Sequence, residues 1–528
     1  MPIFLAFADT TVKTASPPTW SEWAALAPEL GVAALALLVL ALEILPFGPW
    51  RRLAPAAVCI GLVGIGAGVV VSWKRVGEAG PQLLFNGLIA QGKFFHTATP
   101  RLFFLAAALL ALWLVWRPRP QAASQSGEFA HLVLVVTVAL MLLVQSAHFA
   151  MLFVALETVA VGLYVLVAFN RENALSLEAG AKYLVLGGLG SALMLFGIAL
   201  LCGVAGSPLL AGGNAGLDSL DFTHIGTFLA ANSTNPLALA GIGLVLVGVA
   251  FKIGMFPFQI WVPDVYQGAP TPTVAFLAVA SKAAGTLALF ILLRGPFAPM
   301  VLAPSGQTGA LHALVALMAG ATLVFSNLSA LGQTNVKRLM GLSGVSHAGF
   351  LVMGVLSAQH KDATLALPAI AVYLTAYLAG VFTTLGVVTE MTHSQDDGED
   401  DSATQEISDY QLLSSRNPFL AGMLGIGVGS LAGIPPSLGF IAKFLIITAA
   451  FQAGLWTLAA LALLCVCAGV YYYFSWIREA FQHVWISEER RAELSKPIHV
   501  PPHSKIVLWL LALTLLTGGV AQGLLLTL

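Results

Sequence analysis

The stretch at residues 270–294, PTPTVAFLAVASKAAGTLALFILLR, is apolar over a length that can cross a membrane, yet Lys282 lies near its centre. A transmembrane helix requires about 20 mostly apolar residues. A lysine at the middle of the bilayer costs roughly 2.5–3.5 kcal/mol on insertion scales, and ionisable residues at that depth usually serve function. The stretch therefore predicts a membrane helix that carries proton or ion chemistry.

The composition extends this prediction to the whole chain. Of the 528 residues, 58% are hydrophobic and only 9% are charged, whereas soluble domains carry about 25% charged residues. No alternation typical of a transmembrane β-barrel is found, so we predict an all-α polytopic membrane protein with about 14 transmembrane helices. The apolar runs lie near residues 24–46, 54–73, 101–116, 129–147, 149–169, 179–204, 236–260, 273–293, 309–330, 335–357, 364–390, 419–449, 455–477 and 505–527.

Two function classes are disfavoured. The net charge is −1 and no basic tail is present, which argues against nucleic-acid binding. The four cysteines have no spacing typical of a zinc or iron–sulfur site, so we expect no cofactor and no metal in this chain. They are Cys59, Cys202, Cys465 and Cys467.

Further ionisable residues fall inside the apolar runs. Glu157 is central in its run, and a nearby lysine would keep it ionised; a passing proton can break and remake such a pair, although a purely structural ion pair is the alternative. Lys182 lies only a few residues into its run, so a relay role and an extension to the interface remain open. His347 would suit a relay between Lys282 and Lys443, or else is a helix-packing histidine.

Prolines predict two interrupted helices. Pro257 follows Lys252 by five residues, and Pro435 and Pro436 precede Lys443. A proline within a span removes a backbone hydrogen bond and clashes with the preceding turn. Paired interruptions of this kind point to ion sites in transporters with inverted repeats. The alternatives are that Lys252 extends to the interface and that Lys443 only binds the carbonyls freed by the break.

Three other segments give structural expectations. The small-residue run at 187–197 predicts close helix contact. Residues 206–235, rich in Gly, Asn and Ser, are predicted to form a loop. The acidic segment 392–409 has no Lys or Arg, and is read as a solvated loop or as a docking surface for a basic partner.

Four segments carry a family resemblance. FKIGMFPFQIWVPDVYQGAPTPTVAFLAVASKAAG, at 251–285, closely resembles the signature of subunit N of proton-pumping NADH:quinone oxidoreductase, respiratory complex I. NVKRLMGLSGVSHAGFLVMG at 335–354, SLAGIPPSLGFIAKF at 430–444 and LETVAVGLYVLVAFNRENALSLEAGAKYLVLG at 156–187 resemble other segments of that family. The form WVPDVYQGAP and Lys443 favour subunit N over its sister subunit M, which carries a glutamate at the last position.

The resemblance implies an antiporter-like subunit built on two inverted five-helix repeats with discontinuous helices. Residues 1–128 would form three N-terminal transmembrane helices, 129–294 the first antiporter-like half, 309–480 the second half, and 481–528 a C-terminal loop and the last helix. It also implies roles for the buried charges. Glu157 and Lys252 would be the coupling pair, Lys282 the central proton carrier, His347 part of the connecting axis and Lys443 the exit-side group.

The implied partners are the other membrane subunits of complex I and the lipid bilayer. Flavin, iron–sulfur clusters and quinone would belong to partner subunits, so this chain would contribute to an enzyme without redox chemistry of its own. The expected location is a bacterial inner membrane, with a multi-pass topology. Two other functions stay open: a cation/proton antiporter subunit of the Mrp type, and a structural subunit whose ion pairs only set helix packing.

Overall fold

The chain folds almost entirely into α-helices. The computed structural model describes residues 17–44, 54–79, 82–92, 94–115, 126–207, 219–301, 309–395, 405–482 and 498–520. Within these ranges, 13 helices are long and apolar enough to cross a membrane. The predicted all-α polytopic fold is therefore confirmed.

The described ranges contain twenty α-helices. Those in the first half of the chain are α1 (Trp20–Ala25), α2 (Ala27–Ile44), α3 (Ala54–Ala79), α4 (Phe94–Val115), α5 (Ser126–Leu143), α6 (Phe149–Val167), α7 (Ala174–Ala205), α8 (Phe222–Ala231), α9 (Pro236–Ile253) and α10 (Val262–Gly268). Those that follow are α11 (Thr271–Arg294), α12 (Ala298–Val301), α13 (Ala310–Ala330), α14 (Val336–Ser357), α15 (Ala366–Gln395), α16 (Leu413–Arg416), α17 (Pro418–Ala432), α18 (Leu438–Gln452), α19 (Trp456–Phe481) and α20 (Pro502–Val520).

The predicted apolar runs correspond closely to these helices. Thirteen runs match the 13 long helices, and the run at 419–449 forms the two shorter helices α17 and α18. The loop predicted at 206–235 is wrong in part, because α8 lies within it. Asp221 caps that helix by accepting hydrogen bonds from two backbone N–H groups, a local signal that its Gly-rich surroundings obscure. Residues 396–404 of the acidic segment lie outside the described ranges.

The first helix interruption begins at a glycine rather than at the proline. Helix α9 ends at Ile253, and Gly254 has φ +79°, a left-handed conformation that glycine adopts without steric cost. Pro257 lies inside the interruption, four residues after the last helical residue. The chain becomes helical again at Val262, with Pro263 in the first turn. Proline is well tolerated there because the first N–H groups of a helix have no intrahelical partner.

The second interruption has the same design. Helix α17 ends at Ala432, and Gly433, with φ +86°, donates its N–H to the carbonyls of Gly429 and Ser430. Pro435 and Pro436 follow, and the Ser437 side chain then caps α18 by accepting from the N–H of Phe440. Both interruptions therefore combine a left-handed glycine with prolines that prevent the helix from continuing.

Replacing Gly433 by Ala is expected to weaken the second interruption. A left-handed non-glycine residue costs about 1–3 kcal/mol, and an added Cβ would lie 3.0 Å from Lys443 Cδ. We expect a lower apparent unfolding temperature of the purified protein. Gly422→Ala in the same helix α17 is the matched control, because a Cβ there meets nothing within 4 Å. Equal stability of the two variants would contradict this account of Gly433.

The chain divides into two compact units that exchange segments. The first unit contains the described residues up to Leu166, together with Tyr183–Ile253 and Ala280–Leu314. The second contains Val167–Lys182, Gly254–Val279 and the described residues from Val315 onward. The boundaries of the predicted halves, 129–294 and 309–480, stay a prediction.

A small hairpin is the exception to the helical fold within the described ranges. Strands β1 (Gln82–Leu84) and β2 (Ile89–Gln91) pair antiparallel, with Leu84 opposite Ile89. The turn between them uses positive φ at Phe85, Asn86 and Gly87. The hairpin was not predicted, because three-residue strands give too little alternation to be recognised in sequence.

A buried ion pair joins helices α2 and α4 in the first unit. Arg101 donates two hydrogen bonds to the Glu29 carboxylate, at 2.7 and 3.1 Å, and both side chains are almost fully buried. Gln145 completes the cluster: it donates to Glu29 at 2.8 Å and accepts from Arg101 at 2.6 Å. A buried ion pair is stable only where hydrogen bonds replace the water that its charged atoms lose, and Gln145 supplies such hydrogen bonds here.

Replacing Arg101 by Met is expected to destabilise the protein strongly. Removing one partner of a buried pair costs about 3–5 kcal/mol, because the other charge stays buried without compensation. The double variant Glu29→Gln/Arg101→Met removes both charges and should recover much of the loss. Apparent unfolding temperatures of the three proteins check this prediction, which fails if Arg101→Met is as stable as the parent.

Candidate functional site

A hydroxyl bridges an acid and a base inside the first unit. Lys252 Nζ lies 3.3 Å from Glu157 Oε1 and donates to Ser191 Oγ at 3.3 Å. Ser191 Oγ in turn donates to Glu157 Oε1. Lys252 is 6% exposed, and the Glu157 side chain is 26% exposed. The three residues come from α9, α7 and α6, so the structure brings together the Glu157 and Lys252 that the resemblance pairs.

Small residues bring α7 and α9 close enough for this contact. A Cβ built on Gly190 would lie 3.0 Å from the Phe251 ring, and one on Gly248 would lie 3.0 Å from the Gly190 carbonyl. Farther along, a Cβ on Gly197 would lie 2.6 Å from the Gly241 carbonyl. The close helix contact predicted for the small-residue run is therefore confirmed, and it places Ser191 beside Lys252.

Lys282 lies deep in the same unit. It is the twelfth of the 24 residues of α11 and is only 2% exposed. The neighbouring Ser281 donates from Oγ to the Lys252 carbonyl at 2.9 Å. This hydrogen bond joins α11 to the last turn of α9, next to the first interruption. Lys282 is therefore on a helix that contacts the backbone of Lys252, one member of the Glu157–Lys252 pair.

The second unit contains a buried histidine between two tyrosines. His347 is the twelfth residue of α14, a helix buried along its whole length. Its Nδ1 lies 2.7 Å from the hydroxyl of Tyr373, and its Nε2 lies 3.4 Å from the hydroxyl of Tyr473. A neutral imidazole donates from one nitrogen and accepts at the other. A proton taken up at one ring nitrogen and released from the other has a hydroxyl partner at each step.

Lys443 binds the end of helix α17. Its Nζ donates to the carbonyls of Leu431 and Ala432 at 2.9 and 2.8 Å. These are the last carbonyls before the interruption, where the helix dipole favours a cation. The alternative considered for Lys443, binding freed carbonyls, therefore describes a contact that is present.

The contact with the carbonyls does not isolate Lys443. A small cavity lies between Lys443 and His347, and the hydroxyl-bearing Tyr373, Tyr377 and Ser430 are among its lining residues. Its volume of about 10 Å³ is close to what one water molecule requires. A single molecule in this cavity would lie between Lys443 and His347 and could bridge the two side chains.

Lys182 is not placed with the buried groups. Its side chain is 43% exposed, and its Nζ lies 2.7 Å from Glu178 Oε1 and 2.8 Å from Asp264 Oδ2. Asp264 also accepts from Arg338 at 2.7 Å. Lys182 thus belongs to a surface ion cluster in the second unit.

The described residues include no group of three or more His, Cys, Asp or Glu side chains arranged to hold a metal ion. The four cysteines are present as free thiols, of which Cys465 is buried and Cys467 exposed.

Several polar partners were not predicted from the sequence. Ser191 lies in a run recognised only for its small residues, and Asp264 lies in the quoted WVPDVYQGAP stretch without an assigned role. Tyr373 and Tyr473 carry no local signal, since each occurs in an apolar helix like many membrane tyrosines. Their placement depends on tertiary packing.

Comparisons with known proteins decide the family. A family model described as "NADH:quinone oxidoreductase/Mrp antiporter, TM" matches residues 146–469. The protein named NADH-quinone oxidoreductase subunit N 1 of Opitutus terrae is 44% identical over 510 residues, which cover 95% of this chain and 96% of that protein. This chain belongs to the subunit N family of NADH:quinone oxidoreductase. The family membership indicated by four sequence segments is confirmed.

Solved structures share the fold of this chain. A chain of respiratory complex I from Thermus thermophilus, solved with bound aureothin, matches with a TM-score of 0.73 and 27% identity, covering 95% of this chain and 98% of that chain. A chain of the Mrp complex from Dietzia matches with a TM-score of 0.75 over 96% of each chain. Its identity is 17%, so this second match shows a shared fold only.

Proposed function

We propose that this chain is a proton-translocating membrane subunit of an NADH:quinone oxidoreductase complex. It performs no redox chemistry itself, and quinone reduction by partner subunits drives it. Flavin, iron–sulfur clusters and quinone belong to those partners, and the other contacts of the chain are with neighbouring membrane subunits and lipid. The location proposed is a bacterial inner membrane.

One observation carries the proposal. Lys252, Lys282 and Lys443 are 6%, 2% and 7% exposed, and each lies in an apolar helix of a chain from the subunit N family. An ammonium group loses hydration in such surroundings and is held only where it has partners or a function. Two of the three lie beside helix interruptions, where backbone groups freed from the helix can bind ions.

The chemistry proposed for the first unit is a switch. In the paired state, which the structure contains, Glu157 and Lys252 form the ion pair bridged by Ser191. A proton that reaches Glu157 neutralises the carboxylate and releases the Lys252 ammonium. The released ammonium can then drive a proton toward Lys282, either by repulsion or by direct transfer. Because Lys252 is buried, the change in pairing has a larger electrostatic effect than it would have in water.

The chemistry proposed for the second unit is a release path. His347, between two tyrosine hydroxyls, takes up and passes on a proton, and Lys443 receives it across the small cavity. Reprotonation of Lys443 is stabilised by the carbonyls of α17 that it already binds. The relay from Lys282 through His347 to Lys443 stays a prediction.

The Mrp-type antiporter is the second candidate. The match to the Mrp complex favours it only at the level of fold, whereas the relative at 44% identity bears the subunit N name. Purification from the native membrane in mild detergent distinguishes the two. Co-purification with flavin- and iron–sulfur-containing subunits is expected. A chain that purifies without them and exchanges sodium for protons in liposomes would contradict the proposal.

A further inference from the structure

The short helix α10 follows the first interruption and is held mainly by other elements. It has seven residues, Val262–Gly268, and a helix of that length has little stability of its own. One of its faces packs closely on α14. A Cβ built on Gly341 of α14 would lie 3.2 Å from both Val262 and Tyr266. Polar contacts with α7 and α14 also fix α10.

Asp264 is the centre of these polar contacts. Its Oδ2 lies 2.8 Å from Lys182 Nζ of α7, and its Oδ1 accepts from Arg338 Nη1 of α14 at 2.7 Å. Arg338 Nη1 also donates to Gln267 Oε1 of α10 at 2.9 Å. Lys182 is held from its other side by Glu178, one turn earlier in α7. One carboxylate on α10 thus contacts cations from two separate helices, α7 and α14.

The other end of α10 is anchored as well. Lys337, which is 1% exposed, donates from Nζ to the Ala269 carbonyl at 3.1 Å. This places a cation at the C-terminal end of the short helix, where the helix dipole favours it. Polar contacts therefore hold α10 near both of its ends, directly after the first interruption.

The charge of Asp264 is suited to a fixed anchor. The hydrogen bond from Lys182, with a smaller contribution from Arg338, lowers the pKa of Asp264 despite the opposing effect of partial burial. The carboxylate therefore remains ionised at neutral pH, whereas a carrier must gain and lose its proton in each cycle. Exposure of the Lys182 side chain likewise separates it from the deeply buried lysines.

We propose that Asp264 is a positioning residue for proton translocation, which acts through Lys182 and Arg338 to hold α10 and thereby the first helix interruption, without exchanging protons itself. Lys182 then acts as an anchor rather than as a member of the relay. Because this inference rests on the proposed function, its test includes a variant that examines that function separately.

The test measures protons pumped per NADH oxidised in inverted vesicles that contain the assembled complex. Asp264→Asn keeps the shape and removes the charge, and we expect the ratio to fall by about twofold or more, since misplacement of transfer partners is costly. Asp264→Glu should retain most of the ratio. Glu172→Gln, at an exposed carboxylate in the loop before α7, is the matched control and should be unchanged.

A double-mutant cycle identifies the route of the effect. If Asp264 acts through Lys182, the double variant Asp264→Asn/Lys182→Met should pump no worse than the poorer single variant. The pH profile of pumping should keep its shape in Asp264→Asn, because the carriers are unchanged. If Asp264→Asn fails to assemble, Arg338→Lys decides, since it keeps the charge but loses the guanidinium shared between Asp264 and Gln267.

Three results would overturn the inference. The first is an unchanged ratio in Asp264→Asn, or in Arg338→Lys where that variant decides. The second is additive losses in the double variant. The third is a shifted pH profile of the pumping that remains in Asp264→Asn, which would make Asp264 a carrier. Lys282→Met in the same vesicles distinguishes failure of the proposed function from failure of the role inferred for Asp264. Normal pumping by Lys282→Met contradicts the proposed function, whereas loss of pumping there beside a normal Asp264→Asn contradicts only the role of Asp264.

Discussion

Replacing Lys282 by Met is expected to lower NADH-driven proton pumping by roughly tenfold or more, the scale on which a lost proton-transfer group acts. Lys282 is 2% exposed at the middle of α11, so no bulk water can substitute for its amine. Methionine keeps much of the length and apolar stem of the side chain, which limits the disturbance of packing. The measurement is the initial rate of internal acidification in inverted vesicles, divided by the rate of NADH oxidation.

Lys361→Met is the matched control for this change. Lys361 is an exposed lysine in the loop after α14, and its replacement should leave pumping unchanged. Blue-native electrophoresis of both variants measures how much complex is assembled. Lys282→Met with normal pumping per assembled complex, whether or not assembly falls, would show that the lysine only sets helix packing.

Replacing Glu157 by Gln has the second-largest expected effect. The change removes the anion that faces Lys252, which is 6% exposed and lies beside the Ser191 hydroxyl and the Tyr164 ring. We expect pumping to fall by roughly tenfold, because the pair can no longer be made and broken. We also expect some loss of stability, smaller than the roughly 3–5 kcal/mol of a fully buried pair, because Glu157 is 26% exposed.

The double variant Glu157→Gln/Lys252→Met separates the structural role of the pair from its role in translocation. Neutralising both residues removes the uncompensated buried charge, so the apparent unfolding temperature should return toward that of the parent. Pumping should stay low, because both groups of the switch are gone. Recovery of pumping together with stability would indicate that the pair is purely structural.

Hydropathy predicts most of this fold because membrane helices must be long and apolar. Their backbone N–H and C=O groups must also form hydrogen bonds within the helix, since the bilayer interior offers no water. Helix ends are less predictable. The prolines at 257, 435 and 436 signal interruptions, but the helices end earlier, at Ile253 and Ala432, and a left-handed glycine follows each end. Helix α8 was missed because its flanking composition favours a loop, although Asp221 provides a cap.

The candidate site was predictable in its charges and not in their partners. A lysine such as Lys282 is visible in sequence because its cost in an apolar run is large. Whether a charge is buried depends on the face of the helix it occupies, so Lys182 and Lys252 look alike in sequence and differ in the structure. Ser191 and Asp264 gain their roles only from neighbours far along the chain.

The most direct test of the central claim follows the protonation of Glu157 during turnover. Infrared difference spectroscopy of the assembled complex, with and without NADH, detects the carbonyl band of a carboxyl group that gains or loses a proton. Glu157 and Lys252 are proposed to exchange protons in each cycle, so we predict a carboxyl band that is present in the parent and absent in Glu157→Gln. Identical difference spectra from a parent and a variant that both oxidise NADH would contradict the account.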